Sequence, residues 1–205
     1  MPLPLANPSP RPERADAARN RARVLAAAEA LFAQHGATNV SMEDVARAAG
    51  VGKGTLYRRY PDRAALAVAL LDEHERRLQQ QLLAGAPPLG PGATPAERLA
   101  AFYSAMLDLL DQHLQLALAG EGGAARYQSG AYGFWRVHVR VLIRQAGLDD
   151  AGDILADVLL APLAGELYQH LRDRNQSRHD VQAALETLAH RVLGHPSEPQ
   201  ASGES

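Results

Sequence analysis

No cysteine occurs among the 205 residues, which excludes thiol nucleophiles, thiolate-held zinc, iron–sulfur clusters and disulfide frameworks. Aromatic residues are scarce at 5%, with a single tryptophan, so any place where they gather is informative. Lysine occurs once, as Lys53, in a chain whose other basic side chains are all arginine. No run approaches the roughly 18 apolar residues of a membrane helix. The opening twenty residues carry prolines at positions 2, 4, 8, 10 and 12 and lack the apolar core of a secretory signal, so a cytoplasmic location is expected. No large excess of either charge is present: the net value is −2 and the pI about 6.4. That average hides a division. Residues 1–60 hold nine basic against five acidic side chains, whereas residues 61–205 hold 12 against 18. The asymmetry points to a polyanion-binding end on an acidic body.

What is present has helical period almost throughout. The first 16 residues and residues 195–205 lack periodic apolar positions and read as disordered tails. Val24, Leu25, Ala28, Leu31 and Phe32 stripe a first helix over about 17–35, with Gly36 placed to end it. Ser41 and Asp44 have capping-box spacing and open a short helix that Gly50 closes. A third helix follows Gly52 and ends before Pro61, and a longer one covers 62–83. Residues 84–93 are rich in proline and glycine and read as a connection between domains. Thr94, Pro95 and Glu97 then restart a helix that runs to about His113. A glycine-containing loop over 120–133 precedes helices at about 134–146, 150–172 and 180–193. The expected class is all-α: an N-terminal helix-turn-helix head of three helices and a fourth leading out of it, then a helical body.

Residues 41–60 carry the chemistry. Two short helices joined by a three-residue turn form a helix-turn-helix. Ala46 permits close approach, Gly50 allows the positive φ of the turn, and Val51 and Leu56 fill the wedge. The first turn of the second helix, Gly52-Lys53-Gly54-Thr55, offers backbone N–H groups to phosphate, and Tyr57, Arg58, Arg59 and Tyr60 continue along it with charge and phenol donors. The residues 23–32, Gly36, 41–60 and 61–66 together resemble the tetracycline-repressor (TetR) family of bacterial transcriptional regulators, over about residues 18–77. The resemblance implies a homodimer on a palindromic double-stranded DNA operator, with the reading head at 17–77 and a C-terminal effector-binding and dimerisation domain at 78–194. It assigns DNA contacts to Ser41, Gly52, Lys53, Gly54, Thr55, Tyr57, Arg58 and Arg59, and a mainly packing role to Tyr60. Gly52 departs from a common serine and Arg59 from a frequent histidine, which leaves the operator sequence open.

In the body, Phe102, Tyr103, Met106 and His113 on one helix and Trp135 and His138 on another are candidates for an effector pocket, and equally for an ordinary core. Arg136, Arg140 and Arg144 recur at i, i+4, i+8 and read as a solvated face. Leu155, Val158, Leu159 and Leu163, with Val181, Leu185, Leu188 and Val192, are candidates for a four-helix dimer interface. Pro162 is expected to kink the first of these two helices. The function expected is a DNA-binding regulator, a repressor released by a small-molecule effector. The alternatives are an activator or architectural DNA-binding protein without an effector, and an enzyme. No HExxH, P-loop or GxSxG pattern supports the enzyme, and no catalytic residue, metal or cofactor is assigned.

Overall fold

The computed structural model describes residues 11–36, 39–120, 127, 130–149 and 152–194. Both expected tails fall largely outside the described residues, as does most of the 120–133 loop. Among the described residues the regular elements are helices, apart from one isolated bridge between Pro91 and Ala93. They are α1 (Arg11–His35), α2 (Met42–Ala49), α3 (Lys53–Arg59), α4 (Arg63–Ala84), α5 (Pro95–Gly120), α6 (Gly130–Gln145), α7 (Gly152–Leu160), α8 (Gly165–Asp173) and α9 (Arg178–Leu193). None of them is long and apolar enough to cross a membrane.

The chain forms two compact units, residues 1–72 and 73–205. The division falls inside α4, so the 84–93 connection lies within the second unit. The reason is where α4 buries its side chains: Leu66 and Leu70 belong to the first core, Leu78 and Leu82 to the second.

In the first unit, α1 contributes Val24, Leu25 and Ala28 to the core, and α2 contributes Met42, Val45, Ala46 and Ala49. The capping box at the start of α2 is formed in both directions. Ser41 Oγ accepts from the Asp44 N–H at 3.1 Å, and Asp44 Oδ2 accepts from the Ser41 N–H at 3.2 Å. The Ser41 hydroxyl, which donates to Asp44 Oδ2 at 2.6 Å, and then the Ser41 N–H hold the Asp44 carboxyl below its ordinary pKa, because they favour the ionised form. Gly50 ends α2 at φ +62°, the left-handed region that a side chain disfavours.

The second unit is built around α5, which buries Leu99, Phe102, Tyr103 and Leu107 completely. Each such side chain contributes about 1.5–3 kcal/mol relative to exposure. The start of α5 repeats the capping logic: Thr94 Oγ1 accepts from the Glu97 N–H at 3.3 Å, and Glu97 Oε2 accepts from the Thr94 N–H at 2.9 Å. The helix does not stop at His113. It continues to Gly120 across a kink, with His113 at φ −129°, ψ 21°. The His113 ring is held from outside the helix, its Nε2 lying 2.8 Å from Nδ1 of His74 on α4.

The expected helix over 150–172 is broken rather than kinked. The segment Ala161–Leu163 is a 3-10 turn, and Ala164 is extended at φ −67°, ψ 131°. Pro162 lacks the N–H that a continuing helix requires and its ring crowds the preceding turn. The consequence is two short helices, α7 and α8, in place of one. At the start of α9, Ser177 and Asp180 form a third reciprocal capping box.

Candidate nucleic-acid interface and body interior

Leu56 explains how α3 is presented. It is the buried residue of that helix, packed in the first core, while Lys53, Gly54, Thr55, Tyr57, Arg58 and Arg59 are exposed. One anchor on a seven-residue helix leaves the rest of its circumference to solvent. The turn before it is tied by hydrogen bonds from the Gly50 N–H to Arg47 O at 3.2 Å and from the Val51 N–H to Ala46 O at 3.0 Å. The Arg23 guanidinium on α1 reaches the Gly50 carbonyl at 3.4 Å, tying the turn to the first helix. Gly52 caps α3 without a side-chain hydrogen bond, which leaves the N–H groups of Lys53 and Gly54 uncapped, while that of Thr55 donates to Gly52 O at 3.0 Å.

Ser41 before α2, Gly52 before α3, and Lys53, Gly54, Thr55, Tyr57, Arg58 and Arg59 on α3 are all exposed. Tyr57 is 41% exposed, whereas Tyr60 is buried with its hydroxyl unpartnered. Tyr60 is thus a packing residue; the Arg59 guanidinium carbon lies 6.0 Å from its ring centroid. Lys53 is not a free cation. Its Nζ pairs with Glu43 Oε1 of α2 at 3.0 Å, both groups being exposed. A phosphate would compete with that carboxylate for the ammonium.

In the second unit, Phe102, Tyr103, Met106, His113, Trp135 and His138 are all buried. Phe102, Tyr103, Met106 and Trp135 share one hydrophobic core, with the Phe102 and Tyr103 ring centroids 6.3 Å apart. Phe102 is the centre of one group, with its ring centroid 5.7 Å from Trp135 and 5.4 Å from His138. The Tyr103 hydroxyl donates to Leu159 O near the end of α7 at 2.9 Å, and burial pushes that phenol far up. His113 belongs with His74. Arg98, which the sequence reading passed over, is buried too, one turn before Phe102. The available signal was its spacing, since Arg98 and Phe102 share the i, i+4 stripe of an otherwise apolar face.

Of the candidate dimer-interface positions, Leu159, Leu163, Val181 and Leu185 are buried in the core of their own chain. Val158 is exposed and Leu155, Leu188 and Val192 are half-buried, while Ile154 and Leu167 add further exposed apolar surface. The arginine stripe on α6 is not simply solvated. Arg136 pairs with Asp157 at 3.0 Å and with Asp153 at 3.3 Å, and Arg140 pairs with Asp153 at 2.9 Å. These contacts clip α6 to α7.

Residues 24–70 match the family described as bacterial regulatory proteins, tetR family. A HTH-type transcriptional regulator of Mycobacterium tuberculosis H37Rv is 34% identical over 95 residues, which is 46% of this chain and 46% of that protein. A HTH-type transcriptional regulator of Staphylococcus aureus USA300 is 43% identical over 53 residues, 26% of this chain and 29% of the relative. The chain thus spans half or less of the length of the curated relatives it matches. Among solved structures, a TetR-family transcriptional regulator from Pectobacterium atrosepticum superposes with a TM-score of 0.59 at 26% identity, over 89% of this chain and 98% of that one. A TetR-family regulator from Rhodococcus sp. shares the fold at a TM-score of 0.57 and 20% identity, over 86% and 99%.

Proposed function

We propose that this chain, which belongs to the TetR family of bacterial regulatory proteins, binds operator DNA through α3 and is released from it by a small molecule held in the second unit. The observation that carries the reading is the single-anchor packing of α3. Leu56 fixes the helix while the basic and phenolic side chains all face outward. An exposed face of this composition suits a major groove: Lys53 and the open N–H groups serve phosphate, and Tyr57, Arg58 and Arg59 reach base edges or the flanking backbone. The surplus of basic groups in residues 1–60 attracts DNA, and the acidic remainder disfavours non-specific wrapping.

Fluorescence anisotropy on DNA from upstream of the protein's own gene, in rising salt, tests the reading. Tight binding that falls steeply with salt and footprints a palindrome is the expected result. Weak binding equal to that on random DNA counts against it. In the same assay Lys53→Ala removes one phosphate partner, so the log–log salt slope should flatten by about 1. Tyr57→Ala should weaken operator binding about tenfold or more, with random-sequence binding changed little. Folded variants with unaltered operator binding would remove these residues from the interface.

A symmetric operator calls for a dimer, and the second unit carries the exposed apolar positions for one. Val158 is 57% and Ile154 77% exposed on α7. Val158→Glu should shift the protein toward monomer in sedimentation velocity without loss of helicity, because a carboxylate is stranded in an apolar contact. An unchanged dimer would locate the interface away from α7.

A further inference from the structure

Two polar atoms in the second unit are buried without a hydrogen-bond partner on neighbouring side chains of α5 and α6. Arg98 Nε and His138 Nε2 are both in this state, in residues only 6% and 8% exposed. Native interiors rarely leave such atoms unsatisfied, and a buried guanidinium without a carboxylate is the costlier case. Among the described residues Arg98 makes no ion pair. Its one hydrogen bond runs from Nη2 to the Leu82 carbonyl, at 3.3 Å, in the last turns of α4. The adjacent Glu97 carboxylate is committed to the Thr94 cap.

The surroundings are flat and apolar. Phe102 stands one turn from Arg98 and packs on both His138 and Trp135, with ring centroids 5.4 and 5.7 Å away. Phe102 is thus in ring contact with one orphaned group and one helical turn along α5 from the other. Burial, and secondarily the charge of Arg98, keep the His138 ring neutral by lowering its pKa to about 4. At neutral pH its Nε2 therefore serves as one further neutral hydrogen-bonding point beside a fixed positive charge.

We propose that Arg98 and His138 form the polar end of a binding site for a small planar carboxylate, whose apolar body lies against Phe102 and Trp135. One carboxylate oxygen accepts from Arg98 Nε and the other from the Nε2–H tautomer of His138. The site rests on the reading that a small molecule acts in the second unit, and it adds the chemical class of that molecule. Arg98 also holds the end of α4, the helix that begins at Arg63 in the first unit. Neutralising the guanidinium weakens its hold on the Leu82 carbonyl, which gives the ligand a route to act on α4.

The chain reports on the site itself, since Trp135 is its only tryptophan. The full-length protein is titrated with benzoate, and with benzyl alcohol as the uncharged analogue, while Trp135 fluorescence is followed. Benzoate should give a saturable change with about tenfold tighter binding than benzyl alcohol. Arg98→Met should abolish that preference, and Arg98→Lys should retain part of it. Benzoate binding no tighter than benzyl alcohol in the wild-type protein overturns the proposal, and this comparison stands even if a variant fails to fold. A preference that survives in folded Arg98→Met overturns it as well. Operator anisotropy with and without benzoate is read in parallel. Arg98-dependent binding with no release of DNA upholds the carboxylate site and refutes effector release.

Discussion

Leu56→Ala should destabilise the first unit by about 3 kcal/mol and abolish operator binding at concentrations where the wild-type protein saturates. Leu56 is 1% exposed and is the buried residue within α3, so truncation leaves a cavity and only Tyr60, at the C-terminal cap, still ties the helix to the first core. A seven-residue helix is far too short to hold its conformation alone. The effect therefore reaches function through order: Lys53, Tyr57 and Arg58 remain in the chain but lose their common face. Val45→Ala, also in the first core but on α2, provides the contrast, since it costs stability while α3 keeps its anchor. Chemical denaturation followed by anisotropy checks this pair. Operator binding by Leu56→Ala that matched Val45→Ala at equal stability would mean that α3 is held by something other than Leu56.

The second large effect is a loss of stability on mild acidification. His138 has its pKa lowered to about 4, chiefly by burial and then by the charge of Arg98. Once unfolded, the ring returns to its ordinary value near 6.5 and takes up a proton. The stability tied to keeping it neutral is fully present above pH 6.5 and declines as the pH falls from 6.5 toward 4. Below that the group adds no further loss. The span corresponds to about 3 kcal/mol. His138→Gln has nothing to protonate, so its denaturation midpoint should vary less between pH 7.5 and 4.5 than that of the wild-type protein. Parallel curves for the two proteins would show that the buried ring is not the acid-sensitive group. The capping carboxylates Asp44, Glu97 and Asp180 act in a separate, lower window. Hydrogen bonds at their caps lower their pKa values, so their contributions are present above the ordinary carboxylate range and fade as the pH drops through the lowered values.

Reading heads of this kind are legible because their determinants are local. Ser41 with Asp44, Thr94 with Glu97, and Gly50 at positive φ act within one helical turn of themselves, so spacing alone locates the helix ends. The same holds for Leu56 and Tyr57. On a helix this short, one apolar residue between glycines and arginines leaves little doubt about which side turns inward. Pro162 is local as well: its missing donor and ring clash interrupt the helix outright, where the sequence predicts a bend.

The body was decided by its neighbours. Periodicity on the segments that became α7, α8 and α9 showed an apolar stripe, but a stripe looks the same whether its own chain or a partner covers it. Only packing assigned Leu159, Leu163, Val181 and Leu185 to the interior and left Val158 and Ile154 outside. Arg136 and Arg140 read as solvated because charged residues usually are, until α7 set Asp153 and Asp157 against them. Arg98 shows the limit most clearly. Its sequence neighbours say only that it lies on an apolar face. Its burial beside His138, with a polar atom unsatisfied on each, depends on residues forty positions apart meeting across two helices. Hydrophobic pattern and capping chemistry act along the chain and could be read there. The covering of a face and the partnering of a charge are contacts made across space, and they came from the tertiary structure.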